Sequence, residues 1–172
     1  RFRERVMFPI HSFSGRILGF GGRALNPNAK AKYQNSPESQ IYNKSKVLYG
    51  IFFAKNSISK KNNCFLVEGY TDVISLHQKG IENVVSASGT SLTIEQIKLI
   101  NRFTKNITIL FDGDNAGIKA SFRGVDMILK EGMNVKVVPF PDNEDPDSFA
   151  QKSSEEELSH FLDAEAIDFI TY

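Results

Sequence analysis

Cysteine is almost missing from this chain. The single Cys64 excludes an internal disulfide framework and any zinc site built from several cysteines, and its place at the start of an apolar run marks it as a small core residue. Tryptophan is absent. His11, His77 and His160 are scattered without metal-ligand spacing and read as surface or capping residues. No apolar run approaches the roughly 18 residues a bilayer span needs, and no signal-peptide pattern opens the chain. A cytoplasmic protein without membrane contact is therefore the expectation. Acids are scarce in residues 1–61, where twelve Lys/Arg stand against two Asp/Glu; residues 62–172 reverse this, nine against eighteen. The formal net charge of +1 hides that split. It suggests that the first third meets a polyanion while the rest supplies carboxylates; the alternative is that the two regions simply attract each other.

What is present begins with Arg1 rather than a methionine, and reads as a region of a longer protein. Val6–Ile10 and Gly15–Phe20 predict two strands joined as a hairpin. Arg1, Arg3 and Arg5 alternate, which on a strand puts all three on one face, either a phosphate-contacting stripe or simply a solvated face. Gly19-Phe20-Gly21-Gly22-Arg23-Ala24 fits a dinucleotide fingerprint, but Leu25-Asn26-Pro27-Asn28 is a turn where that fingerprint needs a helix. A bulged strand or close backbone approach is the better account of these glycines. Residues 26–39 read as a loop whose Lys30, Lys32, Tyr33 and Asn35 suit a nucleotide's phosphates and base. An amphipathic helix is predicted over 44–56 through Val47, Leu48, Ile51 and Phe52, followed by a basic linker over 57–63.

From Cys64 onward the pattern becomes regular. Phe65–Val67, Val84–Val85, Ile107–Phe111 and Val135–Val138 predict four strands. Helices over 70–79, 93–103 (with Thr93 and Gln96 placed for a capping box) and 116–131 alternate with them. The third would bury Ile118, Phe122, Val125 and Leu129. Pro139–Pro146 reads as a loop, and Leu158, Phe161, Leu162, Phe169 and Ile170 mark a closing helix. Near-continuous apolar strands alternating with helices predict an α/β fold, a parallel sheet of four strands covered on both faces, preceded by a small basic hairpin, loop and helix. The expected division is residues 1–61 and 62–172.

The chemistry concentrates where strands end. Asp112-Gly113-Asp114 closes the third predicted strand, and residues i and i+2 of an extended chain point the same way. Asp-Gly-Asp is also a good turn and helix cap. Glu68 closes the first strand, however, and Glu144-Asp145-Pro146-Asp147 comes after the fourth. In a 2-1-3-4 sheet these carboxyl ends meet at one rim, where ligands bind. Carboxylates gathered there repel unless cations lie between them, and all-oxygen donors favour Mg²⁺ or Mn²⁺ over zinc.

Glu68 with Asp112-x-Asp114 resembles the Toprim signature of primases, topoisomerases and some nucleases. The likeness then widens: Arg3-Glu4-Arg5-Val6-Met7-Phe8-Pro9-Ile10, Gly19-Phe20-Gly21-Gly22-Arg23, Lys32-Tyr33-x-Asn35-Ser36-Pro37-Glu38, Val67-Glu68-Gly69-Tyr70-x-Asp72-Val73, Gly89-Thr90-Ser91, Phe111-Asp112-Gly113-Asp114-x-Ala116-Gly117 and Glu144-Asp145-Pro146-Asp147 together resemble the catalytic core of bacterial replicative primases of the DnaG type. The resemblance implies that Glu68, Asp112, Asp114, Asp145 and Asp147 hold catalytic Mg²⁺, for which Mn²⁺ substitutes, with Asp72 a supporting acid. It implies that Arg23, Lys32, Tyr33, Asn35 and Lys44 contact the incoming ribonucleoside triphosphate. Arg1, Arg3 and Arg5 would line the track for the single-stranded DNA template or its hybrid with the RNA primer. Zinc-binding and helicase-binding regions of such enzymes have no counterpart in this sequence, so a replicative helicase would be met through a region outside it. The implied location is the cytoplasm, at replication forks on the nucleoid.

Glu68 is either a metal ligand or a general base. Two other functions share these acids. A Toprim nuclease would need no basic Lys-Tyr-x-Asn segment, and a non-catalytic module would lose nothing when the acids are changed.

Overall fold

A computed structural model of the chain describes residues 2–89, 91–111, 124–141 and 144–169. Its first element is an antiparallel sheet, ordered β1-β2-β3, of β1 (Arg5–His11), β2 (Ile17–Ala24) and β3 (Tyr33–Asn35). The predicted hairpin is there, in register Phe8↔Gly21. The third strand arises within the segment read as a loop, because β2 carries its pairing to Gly21↔Asn35 and Arg23↔Tyr33.

The second sheet is built from β4 (Cys64–Val67), β5 (Val84–Ser86), β6 (Asn106–Phe111), β7 (Asn134–Pro139) and β8 (Ile167–Asp168), in the order β5-β4-β6-β7-β8. The first four run parallel in the expected 2-1-3-4 order. A short antiparallel fifth strand, β8, adds to the four that were expected, pairing Val137 with Ile167 on the edge of β7. It also corrects the reading of the C-terminal segment: the last helix stops at Ala164, and Phe169 lies beyond it. Ile170 lies outside the described residues.

Alternation along these strands sorts the core into two layers. Leu66, Val85, Ile107, Ile109, Val135 and Val137 face helices α1 (Ile51–Lys61), α3 (Ile94–Asn101) and α4 (described over 124–130). Phe65, Val67, Val84, Leu110 and Val138 face α2 (Tyr70–Gln78), α5 (Pro146–Lys152) and α6 (Glu155–Ala164). Helices on both faces bury every side chain of β4, Cys64 included. In α4 the buried apolar side chains are Val125 and Ile128, one turn apart, whereas Leu129 is exposed; Ile118 and Phe122 lie outside the described residues. Among the described residues no helix is long and apolar enough to cross a membrane.

The helix expected over 44–56 is two elements. Lys44–Lys46 is a single 3₁₀ turn, and α1 starts at Ile51 and runs through the supposed linker to Lys61. Gly50 explains the break. It sits at φ 85°, where glycine alone is unstrained, and an added Cβ would meet Val84 O at 3.1 Å. Just before it, Tyr49 exchanges both backbone hydrogen bonds with Ser86, at 2.9 and 3.1 Å, so the chain is committed to the edge of β5 rather than to a helix. Ile51, Ala54 and Ile58 then pack into the same core as the five-stranded sheet.

The two sheets meet across a hydrophobic seam of Phe8, Ile10, Tyr42 and Tyr70. Tyr70 opens α2 and stacks flat on Phe8, rings 5.0 Å apart, while Tyr49 meets it edge-on at 4.7 Å. A Cβ on Gly21 would lie 2.5 Å from the Tyr70 ring, which is the close approach expected of these glycines. Gly21→Ala should therefore lower unfolding stability by about 1–3 kcal/mol through overpacking. Gly124→Ala, whose new Cβ meets Leu92 at an ordinary 3.6 Å in a helix, should be neutral or stabilising. Urea denaturation of the two variants checks the contrast.

Candidate active site

Parallel strands aim their carboxyl ends at one edge, so the residue after each strand is placed by the sheet rather than by its own preferences. Glu68 comes directly after β4 and is exposed at that edge. The register Leu66↔Ile109 sets the end of β4 beside the end of β6, whose last residue is Phe111. Asp112 and Asp114 come next in the chain and lie outside the described residues, as do Arg1 and Thr90.

Asp72 lies in the first turn of α2 and is buried, its Oδ2 accepting the Gly69 N–H at 2.8 Å. Burial pushes its carboxyl up to about 6; the Gly69 N–H works against this, while the charges of Asp145, Asp147 and Glu68 add to it. Four acids from two chain segments, 68–72 and 145–147, thus share one field. Asp145 caps α5, its Oδ1 accepting the Ser148 N–H at 2.6 Å. Asp147 Oδ1 accepts from Ser75 Oγ at 2.5 Å and Gln151 Nε2 at 2.7 Å. Each of these two aspartates makes those bonds through one oxygen. Glu144 instead pairs with Lys152 and accepts from Ser148, which together hold it below the usual carboxylate range. Predicted as part of a loop, Pro146 begins a helix because Asp145, Pro146 and Ser148 form a cap with proline at its first position.

The donor chemistry fits a hard divalent cation: the described groups are all carboxylates, and the charges of Asp145, Asp147 and Glu68 disfavour the ionised form of Asp72. Among the described residues no three such groups come close enough to hold a cation by themselves.

The basic side is equally local. Arg23 and Tyr33 pair across β2 and β3, the guanidinium 5.8 Å over the ring. Lys32 is exposed beside them. Asn35 bridges the seam: its Oδ1 accepts from Tyr70 Oη at 2.9 Å and its Nδ2 donates to Ser88 O at 3.3 Å. Asn35 and Lys44 line a small surface pocket together with Tyr42, Tyr49 and Ser88. Lys44 is held from behind by Gln96, fully buried, whose Nε2 donates to the carbonyls of Lys44 and Val47 at 3.0 and 2.8 Å. The expected Thr93–Gln96 capping box supplies that arrangement, and Thr93 Oγ1 also donates to Ser45 O at 2.6 Å.

Arg3 and Arg5 do not share a strand face, and Arg1 lies outside the described residues. Arg3 sits in a turn with Glu4 at φ 52°, ahead of β1. Arg5 donates to the carbonyls of Gly22, Ala31 and Lys32, at 3.1, 2.8 and 3.2 Å, and so anchors the 26–32 segment. Tyr70, Ser88 and Gln96 do not stand out as site residues in the sequence. Only the capping-box spacing points toward Gln96.

Family models match residues 65–150 as Toprim-like and residues 1–55 as the N-terminal domain of the DNA primase catalytic core. This chain belongs to the Toprim-like family, on its DNA primase branch. A DNA primase from Clostridium acetobutylicum is 44% identical over the whole chain, which spans 28% of that protein's length. The primase domain of Pseudomonas aeruginosa superposes with a TM-score of 0.93 at 40% identity, covering all of this chain and 54% of that one. A DnaG primase catalytic domain bound to single-stranded DNA superposes at 0.88, again at 40% identity, covering 98% of this chain and 53% of that one. The mixed α/β fold is that of these primase cores.

An acid that prefers its proton in the folded state stabilises the fold below its unfolded pKa and loses that contribution as the pH rises through the folded one. Asp72 should therefore make the metal-free primase-family chain less stable between about pH 4 and pH 6, by roughly 3 kcal/mol at 1.36 kcal/mol per pKa unit. Asp72→Asn, which keeps an acceptor for Gly69, should flatten this fall. Chemical denaturation from pH 4 to 8 measures it, and parallel profiles for the two proteins would contradict the assignment.

Proposed function

We propose that this chain carries the part of a primase active site that synthesises short RNA primers on a single-stranded DNA template, joining ribonucleoside triphosphates by metal-dependent nucleotidyl transfer. The observation that carries the reading is the shared field of Glu68, Asp72, Asp145 and Asp147 at the strand ends, tied through Tyr70 and Asn35 to a basic strand pair. Supporting it are the DNA primases to which the chain is similar and the related catalytic domain bound to single-stranded DNA.

In this reading Glu68, Asp112, Asp114, Asp145 and Asp147 hold Mg²⁺, or Mn²⁺ in its place. Bound there, the cation supplies Lewis-acid stabilisation of the charge that develops as the primer 3′-hydroxyl displaces pyrophosphate from the α-phosphate. The protein's own part is placement. Arg23 and Lys32 steady the triphosphate, Tyr33 offers a flat face to a base, and Asn35 and Lys44 present an amide and an ammonium at the pocket. Arg1, Arg3 and Arg5 serve the template track, in Arg5's case by fixing the 26–32 segment beside it. Residues 1–61 serve as the nucleotide-facing subdomain and 62–172 as the metal-binding one. A replicative helicase would engage the protein outside this chain, in the cytoplasm, at forks on the nucleoid.

The Toprim nuclease is the competing activity. Cleavage of DNA or RNA without added triphosphates would favour it, whereas metal-dependent binding of ribonucleoside triphosphates favours the primase. Asp112→Ala and Asp114→Ala should each abolish Mn²⁺ binding in a calorimetric titration while leaving the circular-dichroism spectrum unchanged. Full Mn²⁺ affinity in both variants would overturn the site. Glu68→Gln separates that residue's two roles: binding kept and turnover lost marks a base, binding lost marks a ligand.

A further inference from the structure

Tyr70 is two residues from Glu68 and two from Asp72, yet it does not face the acids. Its ring is 2% exposed, clamped between Phe8 and Tyr49, and leaves no room for a Cβ on Gly21. Burial raises the phenol above the usual tyrosine range, so it is a neutral donor rather than a nucleophile. Its one hydroxyl proton goes to Asn35 Oδ1. The amide of Asn35 is thereby fixed at both ends, since its Nδ2 reaches Ser88 O. An Asn amide has two N–H groups and two carbonyl lone pairs, so among the described residues one of each is left over at the pocket it lines with Lys44. Asn35 is also the last residue of β3, the strand that begins with Tyr33. Fixing Asn35 to Tyr70 therefore sets the distance from the basic strand to the acidic rim.

We infer that Tyr70 is a positioning residue for the nucleotide, acting through its hydroxyl on Asn35 and holding the triphosphate-binding strand in register with the carboxylates. This rests on the primase reading above. Its ring packs, and its hydroxyl aligns. The two contributions are separable, because Tyr70→Phe keeps the stack on Phe8 and removes only the hydrogen bond.

The test is steady-state primer synthesis by the complete protein, with Tyr70→Phe, Asn35→Ala and the double variant, at a temperature where all retain the wild-type circular-dichroism spectrum. Tyr70→Phe should raise KM for ribonucleoside triphosphate roughly five- to tenfold, the worth of one lost hydrogen bond, with kcat within about twofold. Mn²⁺ affinity without nucleotide should be unchanged. The double variant should be no worse than Asn35→Ala alone, since both act through one contact. A KM unchanged in Tyr70→Phe, a loss confined to kcat, or independent effects that multiply in the double variant would each overturn the inference while leaving the primase reading intact. Wild-type protein that shows no triphosphate-dependent synthesis would instead overturn that reading, and this inference with it.

Discussion

Like charge held at one edge of a sheet is the constraint on which the rest of this structure turns. Strands β4 to β7 run parallel, so the chain leaving each of them emerges at the same rim. Beyond β4, β6 and β7 the sequence turns acidic. Asp72 feels that crowding: burial is the first cause that disfavours its ionised form, and Asp145, Asp147 and Glu68 add to it. A sheet designed only for stability would place apolar or basic groups there. The cost makes sense where a divalent cation enters, because its attraction to each carboxylate outweighs their mutual repulsion.

Holding such a rim in shape requires that its neighbours be rigid, and the chain does this with hydrogen bonds that fix loops rather than with ion pairs. Asp145 caps α5, Ser75 ties α2 to Asp147, and Gln96 gathers the 3₁₀ turn that carries Lys44. Arg5 does the same for the segment before β3. Several of these side chains would be read as ligands from residue type alone. Their geometry shows that part of each one's hydrogen-bonding capacity is already taken up by the protein, which defines how much is left for a substrate.

Most of the architecture is legible in the sequence because its signal is periodic. Apolar runs at Phe65, Val84, Ile107 and Val135, set among helical patterns, leave little besides a parallel sheet, and the rim comes from their order. The misreadings occur where tertiary contacts override local pattern. Val47, Leu48, Ile51 and Phe52 have helical spacing, yet Gly50 adopts a left-handed conformation so that Tyr49 can pair with Ser86, which no local count reveals. The strand at Tyr33 and the strand at Ile167 are too short to carry a period, and exist because β2 and β7 have an open edge to fill. The arginine stripe failed for a related reason: alternation places side chains on one face only where the backbone is extended, and the turn at Glu4 ends that condition before Arg3. Tyr70 reads as one more aromatic in a helix, since its role depends on Asn35, thirty-five residues earlier.

The charge split of the chain acquires a physical meaning from the seam. Had the basic and acidic regions simply been built to attract, their charges would face each other. What lies between them is Phe8, Ile10, Tyr42 and Tyr70, apolar apart from hydroxyls and joined across by a neutral hydrogen bond. The ion pairs found among the described residues, Lys98–Glu131, Lys130–Asp126 and Lys152–Glu144, all lie on the acidic side. A neutral, closely packed seam keeps opposite fields apart while fixing their spacing, so that each remains available to something placed across both. On the proposed reading a triphosphate with its cation would be such a ligand, anionic toward Arg23 and Lys32 and cationic toward the carboxylates. Hydrolysis of a phosphodiester would use the acidic field alone, and would give the seam no reason to hold a basic strand at a set distance from it.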